Sequence, residues 1–343
     1  MNFAPNEEIL FLDRTAVMKA LTGVDALGVV AHVLAEHAAG RVVIPEEGYL
    51  PWSNSQGAYS RSIAMQGGLT GDHPVYGMKL INASVSNPAH GMERAGGLSF
   101  LFDPETARPV MIAEAAYLSA IRTGAYTMVS LRQLGPASFE AVSLIGCGTQ
   151  ARAHVDLIAQ VFPEVTRVHV VDLDPARGHD FAEWARQSHP AMTVVVEPSV
   201  QAVVAAAPVV IALTTSSEPY IPASWIQPGT FLAHVSLADF NQDVFAGAQA
   251  LYIDDLDLIR DNPRRIMGRL IAEGVIADGP DKPGRPIDGT LGEVLRGEAE
   301  AIRPSDGYVL SNPFGMSILD VGMIDAVYQS ARRLDLGQRL TVL

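Results

Sequence analysis

The chain has 343 residues, of which 48% are hydrophobic, so it is long enough for two domains with large cores. Its formal net charge of −14 argues against a general nucleic-acid or anionic-membrane surface. Cys147 is the only cysteine, which excludes an intrachain disulfide and favours a reducing cytoplasm. No apolar run approaches the roughly 20 residues of a membrane span, the acidic N-terminus lacks the basic region of a signal peptide, and no metal-ligand spacing is found among the histidines.

The chain begins with the pattern of a strand followed by a helix. Residues 7–13 form a short apolar run, and Asp13 or Thr15 would cap the helical stretch that follows. Apolar residues then recur at helical spacing from Val17 to Leu34. We therefore predict an amphipathic helical stretch after the first strand.

Residues 41–113 change to a β-rich pattern. Their apolar runs are broken by Gly, Pro and Asn, and FLFDPETARPVMI has the turn residues Asp-Pro-Glu-Thr between two apolar strands. Four or five meandering strands in a separate sheet are predicted here. The pattern over residues 113–135 then predicts one long helix, or two joined helices, ended by Gly135 and Pro136.

Residues 142–154, VSLIGCGTQARAH, have the order strand, glycine turn and helix. This order is typical of the phosphate-binding corner of a dinucleotide-binding βαβ unit. Gly146 permits the tight turn, and Gly148 lets the backbone approach a pyrophosphate. The free N–H groups at the start of the helix, near Thr149 and Gln150, would face its negative charge.

An acidic residue stands where this fingerprint expects one. Asp172 ends the next predicted strand, RVHVVDLD, where a carboxylate accepts hydrogen bonds from the adenosine ribose. The same carboxylate would repel an additional phosphate, which predicts NAD rather than NADP. Thr214 and Thr215 end a further strand at the carboxyl edge, where ligands bind in doubly wound sheets. Ordinary polarity at a strand end is the alternative for these two threonines.

Strand and helix patterns alternate after the glycine corner. This alternation predicts an α/β fold, with a Rossmann-type doubly wound parallel sheet that we assign to an NAD-binding domain of residues 131–313. Residues 1–130 would form an α+β substrate-binding and dimerisation domain. A last helix within residues 314–343 has core-like apolar spacing and is predicted to complete that first domain.

Several short motifs resemble the ornithine cyclodeaminase/mu-crystallin family in their order and spacing, over nearly the whole chain. They are YGMK at Tyr76–Lys79, LFDPETARP, AIRTGA, LIGCGTQA and NPFGMSILD. The resemblance implies an oxidoreductase with NAD as cofactor and a small amino-acid-derived substrate. It also implies a homodimer.

Within the family, NPAHGMERAGG, IGCG, VSLAD and NPFGM are similar to a branch of NAD-dependent dehydrogenases of siderophore biosynthesis. That branch oxidises the secondary amine of an N-(2-amino-2-carboxyethyl)-glutamate to an imine, which water splits. The resemblance therefore implies 2,3-diaminopropionate and 2-oxoglutarate as products. The alternatives are an ornithine or lysine cyclodeaminase, a ketimine reductase, and a non-catalytic NAD(P)-dependent ligand binder.

The resemblance also implies roles for individual cations. The family binds the substrate carboxylate at the positions of Lys79 and Arg122, and Lys79 is a catalytic candidate as well. A planar guanidinium suits bidentate capture of a carboxylate. The cyclodeaminases have another arginine on their first strand, where residues 46–47 of this chain are both Glu. This departure counts against plain ornithine cyclisation, and Arg61 or Arg94 would supply the missing positive group.

Proton handling is assigned to Asp239, which follows a strand of the dinucleotide domain in VSLADFNQD. The cyclodeaminase aspartate aligns one position earlier. Ser236 in the same segment and Thr123 in AIRTGA complete the cofactor-binding candidates. His234 is expected to be a core histidine, and Asp320 would either cap the last helix or contact the ribose.

Overall fold

The computed structural model describes residues 8–260, 262–263, 265–313 and 315–342. The predictions for residues 1–7 and for Phe314 lie outside these ranges. The described residues divide into two compact units. The first unit runs to Arg122 and resumes at Met316, whereas the second unit, Thr123–Gly315, is continuous.

Helices and strands are numbered here in chain order. The elements up to the start of the second unit are β1 (Glu8–Leu12), α1 (Arg14–Leu21), α2 (Ala26–Ala38), β2 (Val42–Val43), β3 (Gly48–Ser53), β4 (Tyr59–Leu69), β5 (Val75–Ser84), β6 (Ala95–Phe102), β7 (Pro109–Glu114) and α3 (Ala116–Leu134). Those that follow are β8 (Ala141–Ile145), α4 (Thr149–Val161), β9 (Arg167–Val171), α5 (Pro175–Ser188), β10 (Thr193–Val196), α6 (Val200–Ala206), β11 (Val209–Ala212), β12 (Phe231–His234), α7 (Gln242–Ala246), β13 (Ala250–Ile253), α8 (Leu256–Arg260), α9 (Ile266–Ala272), β14 (Ile276–Ala277), β15 (Arg285–Pro286), β16 (Gly289–Thr290), α10 (Leu291–Arg296), β17 (Val309–Asn312), α11 (Ser317–Arg333) and β18 (Gln338–Thr341).

The sheet of the first unit is larger than predicted. Within the described ranges it has eight strands in the order β18-β1-β7-β6-β5-β4-β2, with β3 also paired to β4. The pattern predicted only four or five, because β1 and β18 add to one edge and residues 42–53 divide into two strands. The hairpin is confirmed as β6 and β7, which pair antiparallel around the Asp103 turn.

The predicted N-terminal helical stretch is two helices, α1 and α2, with an angle of 86° between them. Asp13 caps α1 by accepting from the N–H of Ala16 at 2.8 Å. Asp25 caps α2 by accepting from the N–H of Gly28 at 3.0 Å, so a second cap starts a new helix. Among the described residues, no single helix has the length and apolar composition to cross a membrane, although α1 and α2 taken together pass that test.

Helix α11 packs closely on one face of this sheet. Gly67 and Gly77 lie opposite each other on β4 and β5. A Cβ at Gly67 would lie 2.7 Å from Ser317 Oγ, and one at Gly77 would lie 3.4 Å from Val321 Cγ2 and 2.6 Å from the Phe100 carbonyl oxygen. The paired glycines therefore allow α11 to approach the sheet at this point.

The predicted last helix is confirmed as α11, but the strand that follows it, β18, was not predicted. Helix α11 stops at Arg333, and Asp335 and Gly337 then take positive φ values of 50° and 92°. Left-handed backbone cannot continue a right-handed helix. The chain turns back there, and β18 pairs antiparallel with β1.

The second unit has a parallel sheet in the order β10-β9-β8-β11-β12-β17-β13-β16. The first five strands follow the doubly wound order: β9 and β10 are added on one side of β8, and β11 and β12 on the other. The carboxyl ends of β8, β9, β11 and β12 lie along one edge of this sheet. Gly146, Asp172, Thr214 and Ser236 follow these ends closely in sequence, so the fold brings the predicted cofactor candidates to one edge.

Candidate functional site

The glycine corner has the backbone of a phosphate-binding loop. Gly146 adopts a φ of 99°, which other residues rarely take. Gly148 is the N-cap of α4, and no side chain caps the helix there. A Cβ at Gly148 would meet no heavy atom within 4 Å, and Thr149 beside it is exposed. The start of α4 therefore presents N–H groups to an open space, which fits a diphosphate.

Asp172 links the end of β9 to this corner. Its Oδ2 accepts from the N–H of Cys147 at 2.8 Å, and its Oδ1 accepts from the N–H of Asp174 at 3.1 Å. The sequence pattern located Asp172 but did not show that its carboxylate holds the glycine loop. Burial, together with the Asp172 carboxylate, raises the pKa of the Cys147 thiol to about 12. The thiol is therefore protonated, in agreement with a structural role.

Asp239 is completely buried and is surrounded by hydroxyl groups. Thr214 and Tyr220 both donate to its Oδ1, the tyrosine at 2.7 Å, and Ser236 donates to its Oδ2. Burial raises the pKa of Asp239, although the hydrogen bonds from Thr214 and Tyr220 oppose that rise. Three predicted residues thus meet in one cluster, whereas Tyr220 lies in a loop whose sequence gave no signal for it.

His234 supports this cluster as a neutral ring. Burial lowers the pKa of His234 to about 3. Its Nδ1 lies 2.9 Å from Asn312 Oδ1, and its Nε2 lies 3.3 Å from the donating N–H of Asp239. A neutral ring protonated on Nδ1 satisfies both contacts. Within the described ranges, no group of three or more His, Cys, Asp or Glu side chains could hold a metal ion.

The three remaining cofactor candidates in the second unit, Thr215, Thr123 and Gln150, have no contact with the Asp239 cluster among the described hydrogen bonds. Thr215 is exposed. Thr123 is half-buried on α3, and its carbonyl oxygen accepts from Thr127 Oγ1 at 3.3 Å. Gln150 has a buried Oε1 with no hydrogen-bond partner in the described part of the chain. The roles of these residues remain predictions.

In the first unit, Lys79 and Arg122 meet at a common carboxylate. Lys79 Nζ lies 2.7 Å from Asp320 Oδ2, and Arg122 Nε lies 2.9 Å from Asp320 Oδ1. Lys79, Arg122 and Asp320 are only 3%, 6% and 2% exposed. Of the two alternatives for Asp320, the helix cap is wrong, because Met316 is the N-cap and Asp320 lies in the first turn with both oxygens bound to cations, whereas the ribose contact is not tested.

This cluster, Lys79–Asp320–Arg122, carries one net positive charge. Burial and the charge of Arg122 lower the pKa of Lys79 to about 8, although Asp320 and the nearby Glu47 favour its charged form. Burial would raise the pKa of Asp320, but Arg122 and Lys79 outweigh it and the pKa is lowered. Near neutral pH the cluster holds two cations and one anion, so one further carboxylate would neutralise it.

Arg61 and Arg94 lie near each other on the same sheet. Arg61 on β4 is in register with Ala83 on β5, which is in register with Ala95, the residue after Arg94. Burial and the charge of Arg61 lower the pKa of Arg94, and neither arginine pairs with a carboxylate among the described residues. Arg61 and Lys79 lie on the same face of the sheet. Lys79 pairs with Met65 on β4, and Arg61 is four residues from Met65, which is about 13 Å at the usual rise per residue.

A parallel doubly wound sheet with a glycine corner at its carboxyl edge is the architecture of dinucleotide-binding proteins. More specifically, the chain belongs to the ornithine cyclodeaminase/mu-crystallin family, whose profile matches residues 7–334. This membership and the agreement of the fold confirm the predicted family and fold class.

Individual relatives match over nearly their full length. The crystal structure of CmnK is 52% identical, with a TM-score of 0.92, and the match covers 98% of this chain and 99% of that one. The N-((2S)-2-amino-2-carboxyethyl)-L-glutamate dehydrogenase of Staphylococcus aureus is 28% identical over 98% of this chain and 99% of its own. An archaeal alanine dehydrogenase dimer with bound NAD is 23% identical, with a TM-score of 0.84, over 98% of this chain and 100% of that one, and it supports the fold alone.

Proposed function

We propose that the protein is an NAD-dependent oxidoreductase that acts on the CH–NH bond of an amino-acid conjugate. Oxidation gives an imine, which water splits into a 2,3-diaminopropionate-like amino acid and a 2-oxo acid. The observation that carries this proposal is the buried pair of cations on Asp320, Lys79 and Arg122, with Arg61 and Arg94 in the same unit of a chain whose net charge is −14. A conjugate with several carboxylates matches that group.

The residues of the glycine corner fit NAD. The open space over Gly148 and the uncapped start of α4 suit a diphosphate, with Gly146, Thr149 and Gln150 in the same loop. Asp172 would accept hydrogen bonds from the ribose while it continues to hold the N–H of Cys147. When bound, NAD would accept the hydride from the carbon of the CH–NH group. Thr123, Thr214, Thr215 and Ser236 are the further proposed contacts.

The cations would hold the substrate by its carboxylates. Arg122 uses Nε for Asp320, and its two terminal nitrogens have no partner among the described residues. Those two nitrogens suit one carboxylate in a bidentate manner, with Lys79 as the second anchor. Arg61 and Arg94 would bind a more distant carboxylate, because two adjacent arginines without an acidic partner are stabilised by an anion.

Asp239 would handle protons through a neighbouring hydroxyl. Its carboxylate is completely buried, so a proton reaches it most directly through Tyr220 or Thr214, which are only half-buried. Removal of hydride from carbon leaves an iminium ion, and loss of the N–H proton gives the imine. Addition of water to the C=N bond then forms the 2-oxo acid and releases the primary amine.

A product assay tests the proposal. Purified protein is incubated with NAD and N-(2-amino-2-carboxyethyl)-glutamate, and then with ornithine or lysine, while NADH absorbance and the products are followed. We expect NADH and a 2-oxo acid from the conjugate alone. Conversion of ornithine to proline without net NADH would favour the cyclodeaminase alternative. Binding of NADH without turnover of any of these amines would favour the ligand binder.

Three broader features belong to the same proposal. The protein would act as a homodimer in the cytoplasm, in the biosynthesis of a siderophore or another natural product. The lone cysteine supports the cytoplasmic setting. The name of the staphylococcal relative supports a related amino-acid substrate.

A further inference from the structure

We infer that Asp320 is a positioning residue that keeps Lys79 protonated and aligned, so that Lys79 and Arg122 bind one substrate carboxylate together. The inference extends the proposed function, since it concerns how the same substrate is held. Each oxygen of Asp320 contacts a different cation, Lys79 Nζ at 2.7 Å and Arg122 Nε at 2.9 Å. A single carboxylate thereby fixes the separation of the two cations.

The fold places Asp320 there through the close approach of α11. The glycine pair Gly67 and Gly77 removes the side chains that would hold the helix away from the sheet. Lys79 lies two residues after Gly77 and therefore on the same face of β5. Asp320, one turn after Ser317, is thus brought against Lys79.

The other groups around Lys79 show why the Asp320 charge is needed. Arg122 on α3 repels the charged amine, Ser119 on α3 lies 3.3 Å from Nζ, and Glu47 before β3 acts by charge alone. Without Asp320, the largest charge effect on the buried amine would be the repulsion by Arg122, and only the weaker effect of Glu47 would oppose it. Two buried like charges would then favour loss of the lysine proton.

The hydrogen bonds also leave donors for a substrate. Nζ has three protons, and the described contacts to Asp320 and Ser119 use two of them. Arg122 retains its two terminal nitrogens, which have no partner among the described residues. Asp320 thus uses one donor of each cation and leaves other donors of both for one carboxylate.

Lysine titration by NMR tests the inference directly. The chain has only three lysines, Lys19, Lys79 and Lys282, so the Cε–Hε signals of lysine-labelled protein are few, and Lys79→Gln identifies the relevant one. In Asp320→Asn, we expect the Lys79 midpoint to fall by at least about one pH unit, which is a tenfold lower charged fraction at alkaline pH. Asp320→Glu keeps the negative charge, so the titration midpoint of Lys79 should stay close to its wild-type value.

A matched control lies on the same helix. Asp325 on α11 accepts from Gln329 Nε2 at 3.2 Å, so Asp325→Asn makes the same chemical change away from Lys79 and should leave the titration unaltered. In kinetics, Asp320→Asn should raise the substrate KM by about tenfold at alkaline pH, and much less at acidic pH, where Lys79 stays charged. A merely structural role would lower activity equally at all pH values.

The outcomes separate the two proposals. An unchanged Lys79 midpoint in folded Asp320→Asn overturns the inference even when the enzyme is active. A lowered midpoint in a protein that turns over none of the tested amines supports Asp320 and overturns the proposed function. Should Asp320→Asn fail to fold, Lys79→Gln combined with Asp320→Asn removes both charges. If that double variant folds, the result supports the role of Asp320 as the counterion of Lys79. If it does not fold, Asp320 is a structural residue and the inference is overturned.

Discussion

Gly148 offers a sharp test of the dinucleotide site, because the protein itself does not require glycine there. Its φ of −85° and ψ of −166° are open to any residue, and an added Cβ meets no heavy atom within 4 Å. Gly146 differs, with a φ of 99° and an added Cβ 3.1 Å from the Leu213 carbonyl oxygen. We therefore expect Gly148→Val to keep its fold and Gly146→Val to lose stability.

The expected loss of NADH affinity follows from the N–H groups at the start of α4. A valine side chain at position 148 would stand where the diphosphate must approach them. A hydrogen bond to a charged group contributes about 1.5–3 kcal/mol, so the loss of two would cost about 3–6 kcal/mol. That corresponds to an increase of about 100-fold or more in the dissociation constant. Gly146→Val should instead lower the free energy of unfolding by about 1–3 kcal/mol through backbone strain.

Fluorescence titration with NADH and thermal unfolding measure the two effects separately. Wild-type protein, Gly148→Ala and Gly148→Val should show similar melting temperatures but progressively weaker NADH binding. Unchanged NADH affinity in a folded Gly148→Val protein would refute the reasoning, because the space over the start of α4 would then not be the phosphate site.

Four further predictions use binding and steady-state kinetics. Asp172→Ser should narrow the preference for NADH over NADPH and also weaken NADH binding, because the loop loses its carboxylate acceptor; equal or tighter NADPH binding by the wild type would contradict the cofactor assignment. Lys79→Ala and Arg122→Ala should each lower kcat/KM by about 30-fold or more while NADH affinity is retained, because a desolvated charge contact contributes about 2–5 kcal/mol. Arg61→Ala should lower kcat/KM more for a dicarboxylate conjugate than for ornithine. The substrate KM should rise as the pH passes about 8, where Lys79 loses its proton; a flat profile would show that its charge does not bind substrate. Asp239→Asn should lower kcat more than it raises KM, which a direct comparison of the two constants checks.

The dinucleotide half of the protein could be predicted because its signals are local. A strand, two glycines and a helix lie within residues 142–154, and Asp172 follows in the next strand. The observed elements β8, α4 and β9 have this order. Backbone geometry over a short segment is fixed by its own residues, so the pattern carries over directly into structure.

The substrate half depends on contacts that no local pattern contains. Lys79 and Asp320 are 241 residues apart, and Arg122 and Asp320 are 198 apart. Tyr220 was missed for a related reason, since its contact with Asp239 depends on where a loop after β11 returns to the sheet. The sequence identified the two cations through family resemblance, but it could not show which carboxylate balances them.

Two features were not predicted, the break between α1 and α2 and the return of the chain into β18, and both depend on single residues. The apolar spacing of the first helical stretch continues through the break between α1 and α2, because both helices bury the same kind of residue. At the other end, Asp335 takes a positive φ of 50° although it is not glycine. Periodicity alone detects neither event, since both depend on local backbone conformation and not on which face is apolar.

The discontinuous first unit sets an order of events during synthesis of the chain. Residues 123–315 are complete before the ribosome reaches α11, so the dinucleotide unit has all its strands while the sheet of the first unit still lacks its covering helix. Until α11 emerges, the sheet surface at Gly67 and Gly77 stays open to water, and Lys79 lacks the carboxylate of Asp320. The nascent protein would therefore acquire its cofactor unit first and its substrate anchors last.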